Sequence, residues 1–362
     1  MKNLGAVALF LVVAGSSYAQ TGDPARGSVL YHTTYRCTDC HGDPPNPLLL
    51  GDKFLLLNGT TAAGILAALT NAPEMFKYAT TLGQSPQDLS DLAAYIATLA
   101  SPAAPPNYEG IWWNAPAGSE SGWGINFEHQ GDIIFATWFT YDTTGKGWWL
   151  VMTAGKTAPN TYSGALYTTT GPAFNAVPFN PASVIATAVG NGTLTFTDAN
   201  DGTFAYTVNG ISQVKNITRQ VFGPLPTCGA AVSLAAATNY QGLWWAAPAG
   251  SESGWGINFA HQGDTIFATW FTYDLNGTPM WLVVTAGKSA PGAYAGTLYR
   301  TTGAPFNAVP FNPASVTPTA VGNATLTFTD GNTGTFAYTV NGVAQAKAIT
   351  REVFSGGGTA CR

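Results

Sequence analysis

Two regimes of hydrophobic spacing divide the chain. Up to about residue 101 apolar positions recur three and four apart. In "SPQDLSDLAAYIATLA", Leu89, Leu92, Ile96 and Leu99 form one stripe. Ser85 stands as its N-cap, Pro86 in its first turn and Asp88 where it could close a capping box. "TTAAGILAALTN" predicts a shorter helix carrying Ile65, Leu66 and Leu69. "GDPARGSVLYHTTYRC" opens with Asp23 as N-cap and Pro24 at the first helical position. Residues 20–101 thus read as a small all-α domain. Beyond residue 107 the period changes, and strands are predicted at 110–114, 122–129, 132–141, 147–154, 161–168, 183–197, 202–208 and 211–222. Hairpin chemistry falls at Gln130–Asp132, Asp201–Thr203, Asn209–Gly210 and, further on, Asn276–Gly277.

The strand pattern occurs twice. "NYEGIWWNAPAGSESGWGINF" at Asn107 returns as "NYQGLWWAAPAGSESGWGINF" at Asn239, and the match runs on to "ITRQVF" and "ITREVF". With about three quarters of positions identical, this is a tandem duplication of a whole domain, too long a unit for a solenoid. The expected fold class is therefore multidomain: a small all-α domain and two tandem all-β domains, each an eight-stranded antiparallel meander. Closure into an up-and-down barrel would remove the exposed edges; a two-sheet sandwich is the alternative. The stretch Ile134–Tyr141 is apolar on both faces and needs cover on both, so the modules are expected to pack on each other or on the helical domain. All 11 tryptophans lie beyond residue 110. Core and barrel-end packing is their expected role, ahead of a platform for sugar rings.

Domain boundaries follow: a signal peptide at 1–19, the helical domain at 20–101, a Pro-rich linker at 102–106, β module 1 at 107–228, a linker at 229–238 and β module 2 at 239–362. The signal peptide rests on Lys2, an apolar run over Leu4–Gly15 too short to span a bilayer, and small residues before a cleavage after Ala19. No later segment reads as a membrane span. The mature chain is thus expected to be exported by a bacterium, to the periplasm or the extracellular space. Charged residues make up 9 % and the formal net charge is −5, with no basic cluster, which argues against nucleic acid or an anionic membrane as partner.

The densest chemistry is "RCTDCHG", with Cys37, Cys40 and His41. A zinc site needs four ligands, and the next cysteine is Cys228. A thioredoxin-like pair should adjoin a βαβ pattern, which is missing. C-type haem attachment remains: two thioethers from Cys37 and Cys40, and His41 on the iron. Together with Gly27 and Tyr31 one turn apart and the final helix "DLAAYI", the first hundred residues resemble a mono-haem cytochrome c of the class I type. The resemblance implies outer-sphere electron transfer through a partly exposed haem edge. It also implies a methionine as sixth ligand, and Met75 in "NAPEMFKYA" lies where that ligand would; His32 and Lys77 are the rivals, and core filling is the other role for Met75.

Polar residues shared by the two copies are few: Glu120/Glu252, His129/His261, Asp132/Asp264, Lys156/Lys288 and Arg219/Arg351. They compose no Ser–His–Asp arrangement, and no phosphate loop is present. Cys228 and Cys361 close the two copies and are candidates for a disulfide. The expected function is electron transfer by one covalent haem c, with the β modules docking the cytochrome to a redox partner protein or a cell-surface component. Two alternatives stand beside it: a secreted ligand- or polymer-binding β protein with a sensory or structural haem, and a haem peroxidase-like enzyme.

Overall fold

The computed structural model describes residues 22–37, 61–71, 78, 80–82, 85–100, 106–231, 233–356 and 358–362. The chain divides into two compact units, Met1–Pro105 and Pro106–Arg362. The described part of the first unit is helical: α1 (Pro24–Val29) running into a π-helical turn (Leu30–Thr34), α2 (Ala62–Asn71) and α3 (Pro86–Ala100). None of these helices is long and apolar enough to cross a membrane.

Asp23 caps α1 through the N–H groups of Ala25 (2.9 Å) and Arg26 (3.3 Å). The helix then crosses α3 at backbone distance. A Cβ on Gly27 would lie 2.0 Å from the carbonyl oxygen of Asp91 and 2.8 Å from Cβ of Tyr95. Only glycine admits this approach. At α3 the Asp88 N–H reaches Ser85 Oγ at 3.3 Å, but the return arm of the expected capping box is missing. The Asp88 carboxylate instead accepts the Tyr35 hydroxyl at 2.6 Å and pairs with Arg26 at 2.5 Å, while the Ser85 N–H goes to the Leu82 carbonyl. Tertiary partners have displaced the local one. The apolar cluster comprises Leu30, Tyr31, Ile65, Leu69, Leu82, Leu89, Leu92, Ala93 and Ile96. The Leu99 side chain lies outside the described ones, and Leu66 faces outward.

The second unit holds two closed barrels of eight antiparallel strands each, so closure wins over the sandwich. The first comprises β1 (Gly110–Asn114), β2 (Gly124–Gln130), β3 (Ile133–Tyr141), β4 (Gly147–Ala158), β5 (Thr161–Thr170), β6 (Ile185–Phe196), β7 (Asp201–Val208) and β8 (Ile211–Arg219). It closes where Trp112 pairs with Arg219. A short strand β9 (Cys228–Ala230) occupies what reads in the sequence as connector. The second barrel comprises β10 (Gly242–Ala246), β11 (Gly256–Gln262), β12 (Thr265–Tyr273), β13 (Pro279–Ala290), β14 (Ala293–Thr302), β15 (Thr317–Phe328), β16 (Thr333–Val340) and β17 (Val343–Arg351), closing where Trp244 pairs with Arg351. A last strand β18 (Thr359–Cys361) pairs with β9, and Cys228 and Cys361 are joined there by a disulfide.

The strands obey period two where only one face is covered, as on β7, whose alternate residues are buried. On β2 and β11 every residue is buried, because one face fills its own barrel and the other meets the neighbouring barrel. One contiguous apolar cluster runs through both barrels. Trp138 packs inward on Phe204 and Tyr206, while Phe139 and Tyr141, on the opposite face of β3, reach Trp281 across the seam.

The seam contacts come in pairs related by exchanging the barrels. Trp149 Nε1 donates to the Thr272 carbonyl at 2.9 Å, and Trp281 Nε1 to the Thr140 carbonyl at 2.8 Å. The Tyr141 and Tyr273 hydroxyls meet Thr301 Oγ1 (3.1 Å) and Thr169 Oγ1 (3.0 Å). Each barrel also plugs the other. Phe306 packs on Trp138 with its carbonyl accepting the Tyr206 hydroxyl at 3.1 Å; Phe174 packs on Trp270 with its carbonyl accepting Tyr338 at 3.0 Å. The interface is isologous in one chain, a pseudo-two-fold axis with the same patch on both sides.

Candidate functional site

In the helical unit α1 and its π-helical turn end at Arg36, which adopts a left-handed φ of 48°. That turn brings Cys37 back, its N–H donating to the Tyr31 carbonyl at 2.8 Å. The half-buried Cys37 side chain packs against the apolar cluster beside Tyr35, Tyr78 and Tyr95. Its sequence partners Cys40 and His41, the candidate iron ligand Met75 and its rival Lys77 lie outside the described residues, as does the expected signal peptide at 1–19. His32 is held to its own helix, with Nδ1 on the Ser28 carbonyl at 2.7 Å. Among the described residues no group of three or more His, Cys, Asp or Glu side chains could hold a metal ion.

A covalently attached haem would find an apolar cluster with the Cys37 side chain packed against it. Among the described residues, nine buried apolar side chains form one cluster in this unit. A thiol is presented on that core at the end of the first helix.

In the barrels the repeated polar residues serve the fold. His129 Nδ1 accepts the Tyr108 N–H at 3.0 Å, so the neutral ring carries its proton on Nε2, which meets the Tyr162 hydroxyl at 3.2 Å. His261 repeats this with Tyr240 and Tyr294. Burial pushes both imidazoles down to about 4. Glu120 accepts the indole N–H of Trp123 and pairs with Lys215 at 2.8 Å; Glu252 does the same with Trp255 and Lys347. Asp132–Lys156 and Asp264–Lys288 are surface pairs. Arg219 and Arg351 each tie down the segment before the first strand of their barrel, through the carbonyls of Asn107 and Glu109 or of Asn239 and Gln241.

The unusual chemistry lies where the copies differ. Glu109, Glu128 and Glu352 stand where the other copy has Gln241, Ala260 and Gln220. Glu109 and Glu128 are fully enclosed in the seam. Glu128 accepts from Gln130 Nε2 at 3.0 Å and from the Leu243 N–H at 2.6 Å; Glu109 Oε2 accepts the His129 N–H at 2.7 Å. Glu109 Oε1 is left without a donor among the described residues. Burial, with the Glu128 charge second, raises Glu109 well above its ordinary range. The shift favours the protonated form of Glu109, and a protonated Oε1 can donate where an ionised one cannot. Gly242 leaves the room: its φ is +129°, and a Cβ there would meet Glu128 Oε2 at 3.0 Å, Arg351 Nη1 at 3.1 Å and Glu109 Oε1 at 3.3 Å. The difference between the copies was the available signal for this pair.

The pair sets a pH dependence. Above the ordinary carboxyl value of 4.5 the unfolded chain has shed the Glu109 proton while the folded chain keeps it, so stability falls as pH rises through the raised value. The two histidines act on the other side: their stability is lost as pH falls from 6.5 towards 4. Glu109→Gln mimics the protonated carboxyl. In thermal melts from pH 5 to 9 it should make the alkaline limb shallower, to which Glu352, pushed up to about 7, also contributes, and leave the acid limb in place; parallel curves for the two proteins would contradict a raised Glu109. Against known proteins, the chain matches no family model, no curated sequence and no solved structure.

Proposed function

We propose that this chain is an exported electron carrier with one covalent haem c, held by Cys37 and Cys40 and ligated by His41 and Met75. The barrel pair docks it to a redox partner protein or cell-surface component. The observation that carries this reading is the helix crossing at Gly27, which leads straight into Cys37 of the Cys-x-x-Cys-His sequence. There α1 and α3 approach so closely that a Cβ on Gly27 would lie 2.0 Å from the Asp91 carbonyl oxygen, which gives the glycine of the resemblance a structural reason. When bound, the group supplies one reversible iron-centred electron. The chain's part is to hold it by two thioethers, to fix its iron with His41 and Met75, and to keep water off its apolar face with Leu30, Ile65, Leu89 and their neighbours.

The test is a redox titration of the full chain with and without carbon monoxide. A carrier whose iron would be held by both His41 and Met75 should show one one-electron wave and no carbon monoxide adduct. Met75→Ala should bind carbon monoxide, and its potential should fall, because a thioether ligand raises the potential. A wild-type chain that takes up carbon monoxide readily and turns over peroxide would replace the carrier by a peroxidase-like enzyme.

A further inference from the structure

The seam between the barrels is almost symmetric, and where the symmetry fails a cleft opens. Thirteen residues line it, prominently Phe135, Trp149, Trp245, Trp255, Phe271 and Glu352. Shifted by one repeat, the lining is identical except that Leu243 becomes Ile111 and Glu352 becomes Gln220. In that other half the Phe139 ring tip closes over Gly124, and a Cβ there would meet Phe139 Cζ at 2.5 Å. Around Gly256 the nearest atoms belong to Leu243 and Trp244, and Phe271 is not among them. The space left is a half-open cavity of about 190 Å³. An apolar cavity of about 150 Å³ holds a benzene ring, so this one admits a single ring with a short substituent.

The walls are aromatic faces, the only ionisable lining residue is a carboxyl, and no Lys, Arg or His takes part. Arg351, next in sequence to Glu352, is committed to the carbonyls of Gly331, Gln241 and Asn239. Anions are therefore disfavoured. Aromatic faces attract cations through their quadrupole, most strongly when water is excluded. We propose that this cleft binds a small organic cation, an arylalkyl- or alkylammonium ion of about one ring, with its ammonium group on Glu352 and its apolar body between the tryptophan faces.

The surroundings of Glu352 support this. Burial first, and the charge of Glu128 second, push its carboxyl up to about 7. Gln130 touches the residue only through the Glu352 backbone carbonyl, at 2.9 Å. No described residue donates a hydrogen bond to the carboxyl, so a cationic ligand would find it uncommitted. Such a ligand would also hold it ionised, and binding should strengthen as pH rises from 5 to 8.

The experiment is calorimetric titration of the full chain with phenethylammonium and with its neutral analogue 2-phenylethanol, at pH 5 and pH 8. The expected result at pH 8 is at least tenfold tighter binding of the ammonium ion than of the alcohol. That preference should shrink at pH 5 and vanish in Glu352→Gln, a substitution whose product already stands at the equivalent Gln220. Equal affinity for ion and alcohol, a preference unchanged in Glu352→Gln, or no binding of the ion at pH 8 would each overturn the proposal. None of these readouts depends on the haem.

Discussion

Expressed alone as residues 239–362 with Cys361→Ser, the second barrel should sediment as a homodimer. The seam is isologous, so two copies of one module can reproduce it. A lone barrel would expose Trp281, Phe271 and Tyr273, which are at most 3 % exposed in the pair. It would also lack the plug that Phe174 supplies at Tyr338. Burying each such side chain is worth about 1.5–3 kcal/mol, and three of them rival the lower end of a typical domain's net stability, about 5–15 kcal/mol. A monomeric barrel should therefore be unfolded or dimeric. The second copy dimerises more readily than the first, because it carries Gln241 and Ala260 in place of the acid pair. A dimer of first copies would bury Glu109 and Glu128 twice. Analytical ultracentrifugation decides the matter. A well-folded monomer of 239–362 at micromolar concentration would contradict the obligate pairing.

Gly27→Ala should unfold the helical unit. The added methyl would sit 2.0 Å from the Asp91 carbonyl oxygen, and backbone cannot move aside as a side-chain tip can. Overpacking of this kind costs about 1–3 kcal/mol when the surroundings yield, and more when they do not. Separating α1 from α3 also breaks the Asp91 bonds to Asp23 and Arg26. Loss of helical circular dichroism from this unit, with the barrels' melting unchanged, is the expected outcome. A variant as helical and as stable as the wild type would mean that the helices do not cross at Gly27.

Local pattern carried much of this fold. The strand positions follow from period-two spacing and turn residues, and six of the eight predicted starts in the first barrel fall within one residue of the observed ones. The second strand begins later, at Gly124, because Gly122 takes φ +124°. Barrel closure was not legible, since the pairing of β1 with β8 joins residues about a hundred positions apart. The seam was half legible: Ile134–Tyr141 announces a strand covered on both faces, but nothing local says by what. Glu109 and Glu128 drew no expectation from the sequence, where only polar residues shared by both copies stood out. Their burial depends on the second barrel, and only the glutamine and alanine at the equivalent positions marked them. The capping box at Ser85 failed for a related reason: Asp88 had a tyrosine and an arginine within reach in space.

The most direct test of the account is the mass of the mature chain. Produced in a host that attaches c-type haem and extracted with acid acetone, the polypeptide should keep the mass of one haem. The double variant Cys37→Ser/Cys40→Ser should lose it. A wild-type chain that emerges at the mass of the bare polypeptide would contradict the account.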